Sequence, residues 1–419
     1  MKSIKGNETY ILIMFLLFLP FFVFGQEPFQ KTNIENPFKF NVVKELIFEK
    51  SIKDVAFGTI VKDKDTVIYP RIIVLNDEIN CYNEKGKMLW SYKETSETFM
   101  DLWPYLSTNG KFILISADYL PTDVILAEKG THLHFTKIFN DSGKQIWNRI
   151  DTLSENEKIA VVSDNGYFAL LNINHGVLEF FDSLGKKVNE AQLRADRYWK
   201  RTGGAGIIFS DNGDRLSVFF TERTDSSMVV LYDKNGTELL RKNLRDITDV
   251  SLSPKGDFLL TICEINRRGT KDWRKYAILL NNEGNSVIER QIPLGANTYF
   301  KFSKDGNYAV LGVGFSIMLI KVKDGTVLWN KTLNKLITPL PDPAQGTLVP
   351  IDVSNNGTVV LATRDEKQLA IHIVNVEGSL LKNYVVDDLN CYRLKLSPDS
   401  KTLFSVMKNK IIEFSLEEK

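Results

Sequence analysis

Two short phrases alternate along the chain, and together they leave few folds open. The first is a serine followed three residues later by glycine: "STNGK" from residue 107, "SDNGY" from 163, "SDNGD" from 210, "SPKGD" from 253, "SKDGN" from 303 and "SNNGT" from 354, with a degenerate "SPDSK" from 397. An apolar residue precedes each serine (Leu106, Val162, Phe209, Leu252, Phe302, Val353, Leu396), and apolar runs such as "KFILIS" follow. This is strand, tight turn, strand: glycine supplies the positive φ, and Asn or Asp bonds its own backbone in the turn. The second phrase is "NEKGKMLW" (83–90), "NDSGKQIW" (140–147) and "VKDGTVLW" (322–329), with glycines at 86, 143, 185, 236, 284, 325 and 378. Three residues after each glycine stands Leu89, Ile146, Val188, Leu239, Val287, Leu328 or Leu381. Trp90, Trp147 and Trp329 come next in three copies and Leu240 and Ile288 in two, while Asn189 and Lys382 break that column.

Alternation of the two turns gives four short antiparallel strands per unit of about 40 to 55 residues, the length and strand count of a β-propeller blade. One such sheet cannot bury both faces; stacked radially, each covers its neighbour, and large outer-strand residues fill the widening wedge. The tryptophans therefore read as packing residues, and the serines as turn chemistry rather than nucleophiles. The chain is expected to be all-β, a single propeller over 40–419. Seven units carry the second turn, and "YRLKLSPDSKTLFSVMKNKIIEFSLEE" adds three strands at the end. The segment "FNVVKELIFEK" (40–50) resembles an outermost strand, and pairing it with the last three closes an eight-bladed ring without exposed edges. Seven blades is the alternative, if that strand lies elsewhere.

Residues 1–25 read as a signal peptide: Lys2 and Lys5, then "ILIMFLLFLPFFVF", then Val23 and Gly25 at −3 and −1 before Gln26. The apolar run is too short to span a bilayer comfortably; an uncleaved anchor is the alternative. Residues 26–39 form an N-terminal linker, no later segment is long and apolar enough to cross a membrane, and the mature protein is expected to be exported, periplasmic or extracellular. Without the signal its formal charge is zero, which argues against nucleic acid as a partner. Cys81, Cys263 and Cys391 are too few for a disulfide scaffold and read as small buried hydrophobes.

The "NEKGKMLW" and "NDSGKQIW" phrases resemble the tryptophan-docking repeats of eight-bladed quinoprotein-dehydrogenase-like propellers. The "SPDG"-like turns resemble bacterial exported propellers with WD40-like repeats. The resemblance spans about residues 40 to 417. It implies the fold, and for the quinone-dependent members a pyrroloquinoline quinone in the central channel, a calcium ion on carboxylate and amide ligands, and a catalytic aspartate. The Trp-Asp and Gly-His signatures of WD40 repeats are absent, as is a vicinal cysteine pair.

Both turns of a blade lie on one end of the ring, so the variable connections lie on the other, where binding residues are expected. Two insertions there are basic and aromatic. "LRADRYWKRTGGAG" (193–206) leads into the fourth blade, and "CEINRRGTKDWRKY" (263–276) lies within the fifth. They supply the candidate partner-binding residues Arg194, Arg197, Tyr198, Trp199, Arg201, Arg267, Arg268, Trp273 and Arg274. Arginine with aromatics suits an anionic or sugar-like ligand or a protein hot spot; a solvated rim is the competing reading. His132 and His134 share one strand face, but a third metal ligand is not identifiable, Asp118 or Asp123 being guesses. No G-x-S-x-G, H-E-x-x-H, P-loop or EF-hand motif appears, so no catalytic residue, metal site or cofactor is assigned. The expected function is a non-enzymatic binding scaffold for a protein, peptide or glycan at the cell envelope. The alternative is the quinone-dependent dehydrogenase.

Overall fold

The computed structural model describes residues 27–28 and 41–416, apart from 63–64, 76–77, 94–98, 120–131, 154–157, 174, 194–204, 222–226, 245–246, 267–272, 293–297, 314–315, 333–350, 365–368 and 387–390. Among the described residues every regular element is a strand, and the strands form eight sheets, each built on four antiparallel strands. In chain order the blades are blade 1 (52–93), blade 2 (99–153), blade 3 (158–192), blade 4 (205–244), blade 5 (247–292), blade 6 (298–332), blade 7 (351–386) and blade 8 (391–415 with 41–47). The ring is eight-bladed and closes as the repeat count requires. Asn41–Ile47 pairs antiparallel with Lys410–Ser415, Leu46 opposite Ile411 and Glu45 opposite Ile412. Glu27–Pro28 lies parallel beside the outer strand of blade 6.

The core is a circle of apolar layers between blades. The 1–2 layer holds Ile72, Val74, Ile79, Ile113 and Phe135. The 3–4 layer holds Phe180, Phe209, Leu216 and Phe220. At the closing seam, Val55, Phe57 and Ile73 of blade 1 meet Phe404, Val406 and Ile411 of blade 8. Sheets stacked face to face bury both faces, which accounts for inner-strand runs apolar at nearly every position.

The second repeat phrase encodes two devices. The residue three after each glycine is a β-bulge. In blade 1 Trp90 pairs with Cys81 and Met88 with Tyr82, so Leu89 has no cross-strand partner. Ile146, Val188, Leu239, Val287, Leu328 and Leu381 are skipped in the same way. The bulge turns this column outward, and Leu89, Val188, Leu239, Leu328 and Leu381 are exposed. The wedge is therefore filled mainly by the next column, because an extra residue on one strand reverses which side chain faces the neighbour; Ile146 and Val287 of the bulge column stay half-buried against the layers. The N-terminal strand carries the same bulge: Val42 pairs with Phe414 and Lys44 with Glu413, leaving Val43 out and 59% exposed.

The residue after the bulge leans on the glycine turn of the next blade. A Cβ at Gly143 would lie 2.7 Å from Trp90 Cγ, one at Gly185 2.6 Å from Trp147 Cδ1, and one at Gly378 2.9 Å from Trp329 Cγ. Leu240 covers Gly284, Asn189 covers Gly236 and donates from Nδ2 to its carbonyl oxygen at 3.1 Å, and Lys44 covers Gly86. These glycines also have φ between 77° and 85°. Handedness and contact each demand glycine there, which is why glycine and tryptophan recur as a pair although they touch across blades.

Candidate functional site

The seven serines of the first phrase are buried. Ser303 Oγ donates to Asp305 Oδ1 at 2.6 Å and accepts the Tyr308 N–H at 3.0 Å; Ser210 and Ser397 do the same with their own turns. They lock the turns. Successive turns also bond each other round the ring: Asp164 Oδ1 accepts the Asn109 N–H at 2.7 Å, the Asp211 carbonyl the Asp164 N–H at 3.3 Å, the Pro254 carbonyl the Asn212 N–H at 3.2 Å, and the Pro398 carbonyl the Asn355 N–H at 3.0 Å. The turn end is thus regular and internally satisfied.

The inner strands enclose a channel cavity of about 400 Å³ that opens among these turns. Residues alternate along each inner strand, so those one before the serine face the blade layers and those two before it line the channel. Round the ring that tier reads Tyr105, Val161, Ile208, Ser251, Lys301, Asp352 and Lys395 in blades 2 to 8. One wall is apolar and the opposite arc is charged. Arg393 joins the arc one step deeper, where a bulge between Cys391 and Arg393 re-aims the strand; Asp54 and Asp249 follow comparable bulges in blades 1 and 5.

Most of these charges are paired. Arg393 Nη1 donates to Asp54 Oδ1 at 2.8 Å and to the Val55 carbonyl at 2.7 Å. Lys395 Nζ lies 3.1 Å from Asp352 Oδ2, which also accepts the Leu396 N–H at 2.9 Å. At the turn mouth Lys304 reaches across the ring from blade 6, 3.5 Å from Asp164 and 3.0 Å from Asp211, and Thr108 donates to Asp211 Oδ1 at 2.9 Å. Burial raises the Asp164 carboxyl above the usual range, against the pull of Lys304. Lys301 has no ion pair or hydrogen bond among the described residues. Its side chain reaches channel solvent, yet the surrounding walls thin its hydration and draw its ammonium down to about 8, with Arg393 and Lys395 pushing the same way and Asp352 and Asp211 opposing. Asp249 is pushed up to about 6 by desolvation, which outweighs its bond from the Val250 N–H and the charge of Lys275.

Of the partner-binding residues expected from sequence, Arg194, Arg197, Tyr198, Trp199, Arg201, Arg267 and Arg268 lie outside the described residues. Trp273 opens the third strand of blade 5, opposite Asn266, and Arg274 follows it, exposed and opposite Ile265. His132 and His134 lie on the third strand of blade 2, where the register sets His134 between Asp118 and Asp151 on the flanking strands; Asp123 lies outside the described residues. The three cysteines are buried and unlinked, and burial raises the Cys81 thiol.

The charged arc is the feature that reading motif by motif overlooks. Its signal was a column: two residues before the serine, three successive copies carry Lys, Asp and Lys where the earlier ones carry Tyr, Val, Ile and Ser. The calcium ligands implied by the quinoprotein resemblance do not fit this channel, since Asp54 and Asp352 are each already held by a cation of the chain itself.

No family model matches the sequence, and no curated protein matches it. Solved structures do match in shape. The C-terminal WD40 domain of Sif2 is 10% identical, covers 91% of this chain and 100% of its own, and gives a TM-score of 0.55. The Dos1 propeller is 13% identical, covers 90% and 96%, and gives 0.54. At these identities the likeness is one of fold: the chain is similar to WD40 β-propellers in architecture.

Proposed function

We propose that the protein is an exported, non-catalytic propeller scaffold that engages a protein or peptide partner through the end of the ring opposite the turns. The observation that carries this is the contrast between the ends. On the turn end polar groups of the repeated phrases bond within a blade, to the next turn or, for Lys304 and Thr108, across the ring. The longest connections, such as 333–350, join strands at the other end, while the turn end departs from the repeat in blade 1, whose first hairpin runs out to Lys62 and Asp65. A rigid ring with most of its diversity on one face is how a scaffold presents binding loops. We assign the Arg and aromatic insertions at 193–206 and 263–276 to that face, because Arg and aromatic side chains are the residue types that anchor interfaces.

Capture from envelope extract by the immobilised mature chain tests the reading. Alanine at Arg197, Trp199, Arg268 and Trp273 together is expected to abolish capture while leaving the melting temperature unchanged, and capture that survives removes the patch from consideration. Export is checked by fractionation with N-terminal sequencing, which should find a mature start at Gln26. Among the described residues no helix is long and apolar enough to cross a membrane.

A further inference from the structure

We propose that the channel binds a monoanionic carboxylate ligand with a small apolar body, the anion seated on Lys301 and the body against Tyr105, Val161 and Ile208 on the facing wall. This builds on the scaffold reading by naming a ligand chemistry for its central channel. Four observations converge. The cavity, about 400 Å³, lies within the size range of small-molecule sites. Its tier is divided into an apolar arc in blades 2 to 4 and a charged arc in blades 6 to 8, which suits an amphiphile rather than a uniformly polar solute. Within the charged arc Arg393 and Lys395 each hold one aspartate and Lys304 holds two, whereas Lys301 holds none. Lys301 is thus the cation of this set without a carboxylate at ion-pair distance, with Arg393 and Lys395 close enough to perturb it, and it offers a seat for one negative charge.

A cationic ligand lacks such a seat, because Asp54, Asp352, Asp164 and Asp211 are already engaged. The cavity opens among the turns, where Lys304, Asp164 and Asp211 stand at its mouth, so the ligand enters from the turn end, opposite the face on which partner binding is proposed. A carboxylate of this kind has two sources: a free short-chain acid, or the C-terminus of a peptide.

The test is calorimetric titration of the mature chain with hexanoate and benzoate, with hexanamide and benzamide, and with acetyl-Ala-Ala-Phe as free acid and as amide. The acids are expected to bind and the amides not. Lys301→Met should weaken acid binding at least about tenfold, as loss of a charged hydrogen bond does, while Lys301→Arg retains it. Lys255→Met, on the outer turn face, should leave it unchanged. Affinity of the wild type should fall as pH rises through about 8, and this dependence should vanish in Lys301→Arg. Tighter binding of the tripeptide acid than of hexanoate identifies a peptide terminus as the source, and the reverse order a free acid. Equal binding of acids and amides, no binding at millimolar acid, or wild-type affinity in Lys301→Met overturns the proposal. The partner-capture experiment relies on other residues and another face of the ring, so either idea can fail while the other stands.

Discussion

If glycine is required at the outer turns because a neighbouring blade's side chain rests on them, the contact should appear as a coupling energy between blades. The test pair is Trp329 in blade 6 and Gly378 in blade 7. Gly378 has φ of 85°, and a Cβ there would sit 2.9 Å from Trp329 Cγ and 3.1 Å from its Cδ1; Trp329 is 7% exposed. Gly378→Ala then carries two costs. The left-handed conformation costs about 1–2 kcal/mol for a residue with a Cβ, and crowding against a buried indole adds about 1–3 kcal/mol. Trp329→Ala removes a buried aromatic and should cost about 3–5 kcal/mol. In the Trp329→Ala background the conformational cost of Gly378→Ala remains together with a contact to Lys331 Cε at 2.9 Å, the far end of a flexible side chain, so the double mutant should be more stable than additivity allows by about 1–3 kcal/mol, a coupling typical of touching residues. Urea unfolding followed by far-ultraviolet circular dichroism measures all four proteins. Gly312→Ala, where a Cβ meets nothing closer than 3.7 Å and φ is ordinary, serves as the control and should shift the midpoint little. Equal costs of Gly378→Ala in both backgrounds would falsify the docking account and leave backbone handedness as the sole reason for glycine.

Two further outcomes follow from the fold. Deleting residues 40–48 removes the outer strand of blade 8 and bares the edge Lys410–Ser415; the melting temperature should drop and the chain should associate through that edge, and an unchanged melting curve with a monomeric profile would show that the ring does not depend on this seam. Asp249 and His372 should oppose each other in acid. Asp249 is raised to about 6 in the folded chain, so the native state binds that proton more tightly: its cost is whole above pH 6 and is relieved as pH falls toward 4. His372 is lowered by burial to about 4, so the unfolded chain takes its proton first and stability is lost as pH falls from 6.5 to 4. Asp249→Asn should raise the melting temperature at pH 7.5 and lose that gain near pH 4. His372→Gln should blunt the loss below pH 6.5. A pH-independent shift in either variant contradicts the corresponding assignment.

The repeated turn phrases determined the all-β ring, the four-stranded blade and the eighth blade's use of residues 40–50, because turn chemistry is local and a recurring turn fixes strand lengths between its copies. The turn role of the serines and the burial of the cysteines followed from the same pattern. Sequence spacing marked the tryptophans as packing residues but did not show that the residue before them turns outward, since a bulge is a mismatch in count between two strands and exists only once they are paired. It also left undecided that Lys44 takes the place of tryptophan at the seam, because Lys44 and Gly86 meet only when the ring closes. The channel needed tertiary structure most. Lys301, Asp352 and Lys395 are far apart along the chain and innocuous one by one, and radial stacking is what turns the same position of three successive blades into one charged arc with a single cation left over.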